Sequence, residues 1–460
     1  MPPQTPWAYR VAVRAAVPLL PLAAALNRKL RLGHRGRLQA ARHLREWAVA
    51  RRDPNRPLVW LHAPSVGEGH QAAAVIGELR ARRRDWQIAY TYFSPSAVRF
   101  AAEVDADVTG FLPYDTAAAA ELVLSALRPS ALVFVKLDLW PELAVRASLG
   151  GVKVGMVAAT VRPDSGRLRL PVRRLLWPGY RAVAAAGAVA AADAERLAVL
   201  GVPPDHIVVL GDPRYDSVMA RRDSLQLDDV APGLTRKEDR LVAGSSWPDD
   251  EEVVLDALVR VRVSHPSATA VIAPHEPTPT NLARVERLAA ARQLSVTRLS
   301  VPSPTWDVLL VDRVGVLSAL YGLGGAAFVG GGFGRAGLHS VLEPAAWGLP
   351  VIFGPRWPGH RDAERLVAAG AGFGLPVSRG MASQALAERW SRWLEDQGAR
   401  EAAGTAARTV VASGGGAAAK SAELVIRMVE RATEGQGSGA GSPPALSPAA
   451  ERGQVELELP

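Results

Sequence analysis

Short apolar runs alternate with longer helical patterns twice along this chain, and that rhythm constrains the fold more than any other feature. In the first set the runs are LVWLH (58–62), QIAYTY (87–92), ALVFV (131–135) and residues 152–157, with a helical pattern over 67–82. In the second set they are residues 241–243, 268–272, 308–311, 326–329 and 351–353. Continuous Val/Leu/Ile runs separated by helices indicate parallel strands buried on both faces. The sequence therefore predicts an α/β protein made of two units in tandem. Such units leave a cleft at the carboxyl ends of both sheets, where open α/β sheets bind ligands.

The rhythm also sets the domain limits. Residues 57–211 form the first unit and 240–383 the second, with the polar stretch 212–239 as their junction. Residues 384–433 read as Ala-rich helices that cross back to the first unit. The Gly/Ser/Pro-rich stretch 434–460 reads as a disordered tail.

Residues 1–56 stand apart. Residues 1–60 hold twelve Arg/Lys against two acids, a net +10, whereas the whole chain carries +9. The basic character thus belongs to the N-terminus and not to the body, which argues against a nucleic-acid partner. Residues 15–26 (AAVPLLPLAAAL) form an apolar run interrupted by Pro18 and Pro21. As a helix it spans about 18 Å, short of the roughly 30 Å hydrocarbon core. An apolar plug followed by a cationic stretch suits an anionic membrane surface. A packed helix or a cleaved signal peptide shares the same pattern. With no cysteine, disulfides, thiolate metal sites and cysteine nucleophiles are excluded.

Residues 328–355, FVGGGFGRAGLHSVLEPAAWGLPVIFGP, are the densest chemical signal. Gly330, Gly331 and Gly332 end a strand, so backbone N–H groups can approach a phosphate there, and a helix is expected from Ser340. Glu343 in its first turn either accepts from ribose hydroxyls or caps its own helix. The formal G-x-G-x-x-G at 332–337 lacks the acid that a dinucleotide site wants after the next strand. In the first unit, His62-Ala63-Pro64-Ser65-Val66-Gly67-Glu68 runs from a strand into a helix. Glu68 is placed to deprotonate a hydroxyl, unless Ser65 and Glu68 only form a capping box. Lys136, Asp138 and Arg162 lie on the same side. Ser245 and Ser246 follow the first strand of the second unit. Pro274 and His275 follow its second strand, where His275 either contacts a ligand or is structural. No spacing suits a metal, a Walker loop or a G-x-S-x-G elbow.

Taken in order, HAPSVGE, KLDLWPE, AGSSWPDDEE and the 328–355 stretch resemble the 3-deoxy-D-manno-octulosonic acid (Kdo) transferases of Gram-negative lipopolysaccharide synthesis, over residues 57–371. The basic-apolar N-terminus resembles that family's membrane anchor. The resemblance implies a GT-B fold of two Rossmann-like domains. It implies transfer of Kdo from the donor CMP-Kdo to a lipid A precursor, with inversion and without metal or cofactor, at the cytoplasmic face of the inner membrane. It makes Glu68 the general base, with Ser65 and Gly67 beside it. It puts Gly330, Gly331, Gly332, Glu343 and Ser340, an Asn-like position, on the nucleotide side. The chain departs from the pattern at Asp138, often Glu, and at Pro274, often Arg, with Arg335 or Arg356 as substitutes. Two other readings stay open on the residues alone: a GT-B enzyme using a UDP-sugar, and a non-catalytic two-domain ligand-binding protein.

Overall fold

The computed structural model describes residues 4–335 and 337–437, and the backbone alone at 22–26, 28 and 432–437. The first sheet contains β1 (Leu58–His62), β2 (Gln87–Tyr92), β3 (Val108–Phe111), β4 (Ala131–Val135), β5 (Lys153–Ala159), β6 (Val183–Ala188) and β7 (Ile207–Val209). The second contains β8 (Arg240–Ser246), β9 (Thr269–Pro274), β10 (Val296–Arg298), β11 (Val308–Leu310), β12 (Ala326–Val329), β13 (Val351–Phe353) and β14 (Gly372–Gly374). Their orders are β3-β2-β1-β4-β5-β6-β7 and β10-β11-β9-β8-β12-β13-β14, and every strand pairing is parallel. Both sheets are α/β and doubly wound, as the apolar runs implied. The chain reverses direction across the sheet between β1 and β4 in the first lobe, and between β8 and β12 in the second. Crevices at such switch points are where these sheets take ligands.

The strands β1, β2, β4 and β9 are buried along their whole length, which explains their unbroken apolar sequences. The first lobe packs a core on each face of its sheet. One face gathers Leu58, Trp60, Leu132, Phe134 and Met156. The other gathers Val59, Leu61, Val133 and Val157 with Ala422, Val425, Ile426 and Val429 of the last helix, Ala417–Gly437. That helix crosses back from the second lobe, and Arg82 pairs with its Glu423 at 3.5 Å. It continues to Gly437, past Glu434; residues 438–460, most of the stretch read as a tail, lie outside the described residues.

Helix α1 (Trp7–Leu26) runs unbroken through Pro18 and Pro21, and α2 (Arg28–Arg51) follows it after the Asn27 cap. The prolines were expected to interrupt the run. Each removes only one backbone hydrogen bond, and Arg14, the residue four before Pro18, is solvent-exposed, so water can take up the freed carbonyl. The start of α1 is bolted to the body: Tyr9 donates to Asp115 at 2.7 Å and Arg10 to buried Glu142 at 2.8 Å. Among the described residues no helix is long and apolar enough to cross a membrane.

The lobes meet through a buried ionic network. Arg214 lies 2.7 Å from Asp212 and 3.0 Å from Asp362. Gln71 of helix α3 (Val66–Arg82) donates to Asp212 at 2.9 Å, and Tyr215 donates to Asp362 at 2.9 Å. Burial alone would lower the Arg214 pKa, but the two carboxylates outweigh it and raise it. Arg361 adds a second bridge, to Asp193 at 2.9 Å.

Candidate active site

Glu68 stands at the first switch point, in the opening turn of α3 just beyond β1. Its Oε1 accepts from Lys136 Nζ at 2.6 Å, and its Oε2 accepts from the Ser65 hydroxyl. Ser65 makes no side-chain cap for α3, so the capping-box alternative is not formed; the pair is turned on each other and on Lys136. Lys136 follows β4 in the left-handed region, φ 62°. A non-glycine residue there costs about 1–3 kcal/mol, and such strain gathers at functional sites. Burial would raise the Glu68 pKa, but Lys136 and then Ser65 overcome it and hold the carboxylate below its ordinary range. Glu68 is therefore an ionised acceptor of protons at neutral pH.

Asp138 lies beside this pair. It accepts from His62 Nε2 at 3.0 Å and Trp140 Nε1 at 3.2 Å. Burial pulls its pKa up, and the His62 contact more than offsets that, leaving it lowered. His62 is fixed in turn by Thr91 at 3.1 Å. Gly67 sits between Ser65 and Glu68, and a Cβ there would make only an ordinary contact with Ser65 Oγ, at 3.8 Å. Arg162 stands outside this cluster. It is exposed and paired locally with Asp164 at 3.0 Å.

At the second switch point, Ser245 also takes a left-handed conformation, φ 53°. Gly330 passes so close that a Cβ on it would sit 2.3 Å from the Ser245 carbonyl. Ser246 is turned inward, its hydroxyl 3.3 Å from buried Glu251. The glycine loop differs from the expected phosphate cradle. Gly330 N–H donates to the Gly244 carbonyl at 2.9 Å, and Gly331 N–H donates to Asp250 Oδ2 at 2.8 Å. Both donors are thus engaged by the protein itself. The following helix is short, Leu342–Ala346, and starts two residues after Ser340, which is exposed.

Glu343 is half-buried and has no hydrogen-bond or ion-pair partner among the described residues. Burial raises its pKa, with Arg221 acting against that. It does not cap its helix, so its acceptor oxygens are available. Pro274 is buried at the end of β9, while His275 is exposed and stacks on Trp247, ring centres 5.0 Å apart. His339 lies beside Trp247, accepts from its Nε1 at 3.0 Å, and also stacks on His275, with ring centres 4.6 Å apart. Burial, then His275, pushes the His339 pKa down to about 4. This Trp247–His275–His339 cluster is a polar-edged platform beyond the carboxyl ends of β8, β9 and β12. His339 and Trp247 were in plain sight within AGSSWPDDEE and GLHSVLEP, but no spacing marked them. Among the described residues no group of three His/Asp/Glu has metal-site geometry.

The chain is similar to several known proteins. A family model described as 3-deoxy-D-manno-octulosonic-acid transferase (kdotransferase) matches residues 33–217. A 3-deoxy-D-manno-octulosonic acid transferase of Aquifex aeolicus is 26% identical over 318 residues, covering 68% of this chain and 81% of that protein. One from Bordetella pertussis is 27% identical over 427 residues, covering 89% and 96%. Among solved structures, UDP-GlcNAc 2-epimerase from Neisseria meningitidis bound to UDP-GlcNAc superposes with a TM-score of 0.59. That match has 14% identity and covers 82% of this chain and 100% of that one, a likeness of fold alone. Over residues 33–217, and in these relatives along most of its length, the chain is thus similar to proteins described as 3-deoxy-D-manno-octulosonic-acid transferases.

Proposed function

We propose that this protein is an inverting glycosyltransferase that moves Kdo from CMP-Kdo to a hydroxyl of a lipid A precursor, with Glu68 as general base. The observation that carries the base assignment is the Ser65–Glu68–Lys136 constellation at the β1/β4 crevice. Relatives named as Kdo transferases disfavour a UDP-sugar enzyme or a binding protein.

In this mechanism the acceptor hydroxyl gives its proton to Glu68 as its oxygen attacks the anomeric carbon of Kdo. The bond from that carbon to the phosphate oxygen breaks, and CMP leaves with the electron pair. Glu343 accepts from the ribose hydroxyls. The Trp247–His275–His339 platform and Ser245 lie where the nucleotide and its phosphate approach, a role that falls largely to side chains because the Gly330 and Gly331 N–H groups are occupied. Closure of the lobes excludes the water that would hydrolyse the donor. Transfer proceeds without a metal in this reading, so a chelator leaves the rate unchanged.

Helices α1 and α2 meet the membrane surface at its cytoplasmic side. Trp7, Val11, Leu19, Leu30 and Leu32 are exposed there, interleaved with Arg14, Lys29 and Arg35. Each cation near an anionic leaflet adds about 1 kcal/mol of attraction. The test is a mass assay with CMP-Kdo and a tetra-acyl lipid A precursor, with CMP and UDP as competitors. Product heavier by Kdo, inhibited by CMP and not by UDP, is expected; no product with a folded protein refutes the reading.

A further inference from the structure

The N-terminal helices meet the cleft at one side chain. Arg37 of α2 lays its guanidinium over the Phe93 ring, Cζ 3.4 Å from the centroid, and donates from Nη2 to the Phe93 carbonyl at 2.7 Å. Phe93 also stacks against Trp140, with centroids 5.3 Å apart and planes 28° apart. Trp140 holds Asp138. The backbone N–H of Phe93 donates to the Pro64 carbonyl at 3.1 Å, next to Ser65, which itself holds Glu68. Arg37 therefore sits on the rim of the base's own crevice, across the β2, β1 and β4 loops.

Its charge is unanswered. Arg37 is half-buried, its Nε is buried without a hydrogen-bond partner, and among the described residues no carboxylate pairs with it. Its other close neighbour is Tyr114, whose hydroxyl also contacts His34 at 2.8 Å. Partly burying a guanidinium without an anion lowers stability. Cation–π contact and one carbonyl recover only part of that loss. A planar fork with no acid is suited to a phosphate, which it can hold through two parallel hydrogen bonds.

We propose that Arg37, backed by the Phe93–Trp140 stack, is a subsite for a phosphate group carried by the amphiphilic acceptor. It orients the acceptor so that its hydroxyl reaches Glu68, and it deepens the reading given under Proposed function, on which it rests. The alternative source of the same chemistry is the phosphate of a membrane phospholipid headgroup.

The test is a cycle between protein and ligand. Transfer is measured with wild type, Arg37→Gln and Arg37→Lys, each with the phosphorylated acceptor and with the same acceptor after phosphatase treatment. Arg37→Gln is expected to raise KM for the phosphorylated acceptor by about 10–100-fold. KM for CMP-Kdo and kcat should stay within about threefold, and the loss should vanish with the dephosphorylated acceptor. Arg37→Lys keeps the charge and stem without the fork and is expected to fall between, at roughly 3–10-fold. Equal losses with both acceptors in both variants, or a parallel rise in donor KM, would overturn the proposal. A third arm measures binding of the full chain to phosphatidylglycerol vesicles. Unchanged binding in Arg37→Gln supports the acceptor phosphate, and binding lost there alone assigns Arg37 to a headgroup and overturns it. If wild type transfers nothing, the underlying reading fails by itself. Calorimetric binding of the two acceptors in detergent micelles then still decides the subsite.

Discussion

The ammonium nitrogen of Lys136 stands 2.6 Å from Oε1 of Glu68, joining the loop after β4 to the first turn of α3. This contact keeps the carboxylate ionised below the ordinary acid range. Glu68→Gln, nearly isosteric, should cut kcat by about 10²–10⁴-fold with unchanged folding. Removing the cation in Lys136→Met lets burial raise the Glu68 pKa. The acidic limb of kcat/KM should then move to higher pH. A profile identical to wild type would separate Lys136 from the base.

Gly331 has φ +92°, and a Cβ there would lie 2.1 Å from the Gly337 carbonyl. Gly331→Ala should lower stability by about 1–3 kcal/mol through backbone strain, with more from the clash. Displacing this loop beside the donor platform should also weaken CMP affinity. Thermal unfolding and CMP titration read the two effects separately.

Asp250 holds Gly331 and Trp247 by their N–H groups, at 2.8 and 2.9 Å, and burial raises its pKa to about 6. Unfolded, it titrates near 3.9. Between about pH 4 and 6 the folded state therefore binds more protons at this group, so its contribution to stability grows on acidification. Asp115 behaves alike, at about 6. His70 and His339, both lowered to about 4 mainly by burial, act in the opposite direction, because the unfolded chain protonates first. The two sets offset each other. Asp250→Asn should unbalance them. On going from pH 6 to 4.5 the variant should lose on the order of 1–2 kcal/mol more than wild type, read from urea midpoints.

Arg214 answers both Asp212 and Asp362. Arg214→Met leaves two buried carboxylates uncompensated. The loss should be on the order of 2–3 kcal/mol, toward the low end for a buried pair because 34% of the Arg214 side chain remains exposed. Arg162→Met, by contrast, should leave the unfolding midpoint unchanged, since its ion pair lies in solvent.

The strands that carry strong apolar runs were legible because both of their faces are buried. Others were not. β6 reads VAAAGA and β14 reads GFG, compositions with low strand propensity that pairing alone makes extended. The first-lobe side of the site was legible where a charged residue directly follows a central strand, as with Glu68, Lys136 and Asp138. Arg162 also follows a strand, but its loop turns it to solvent, and that turn leaves no pattern in the residues. The stack of Trp247, His275 and His339 is assembled from three separate loops and carries no spacing signal. Nor can composition reveal that Asp250, in the first turn of one helix, reaches across to occupy the N–H of Gly331 in another loop.

The last helix has a consequence for how the protein is made. Ala422, Val425, Ile426 and Val429 complete one face of the first lobe's sheet. On the ribosome that lobe emerges first, yet its covering segment is synthesised only after the entire second lobe. Until then Val59, Leu61 and Val133 are only partly covered on that side, by Ala72, Val75, Ile76 and Leu79 of α3 and their neighbours. The nascent chain must wait with an apolar sheet partly exposed, and any truncated message ending before the final helix yields a product prone to aggregate.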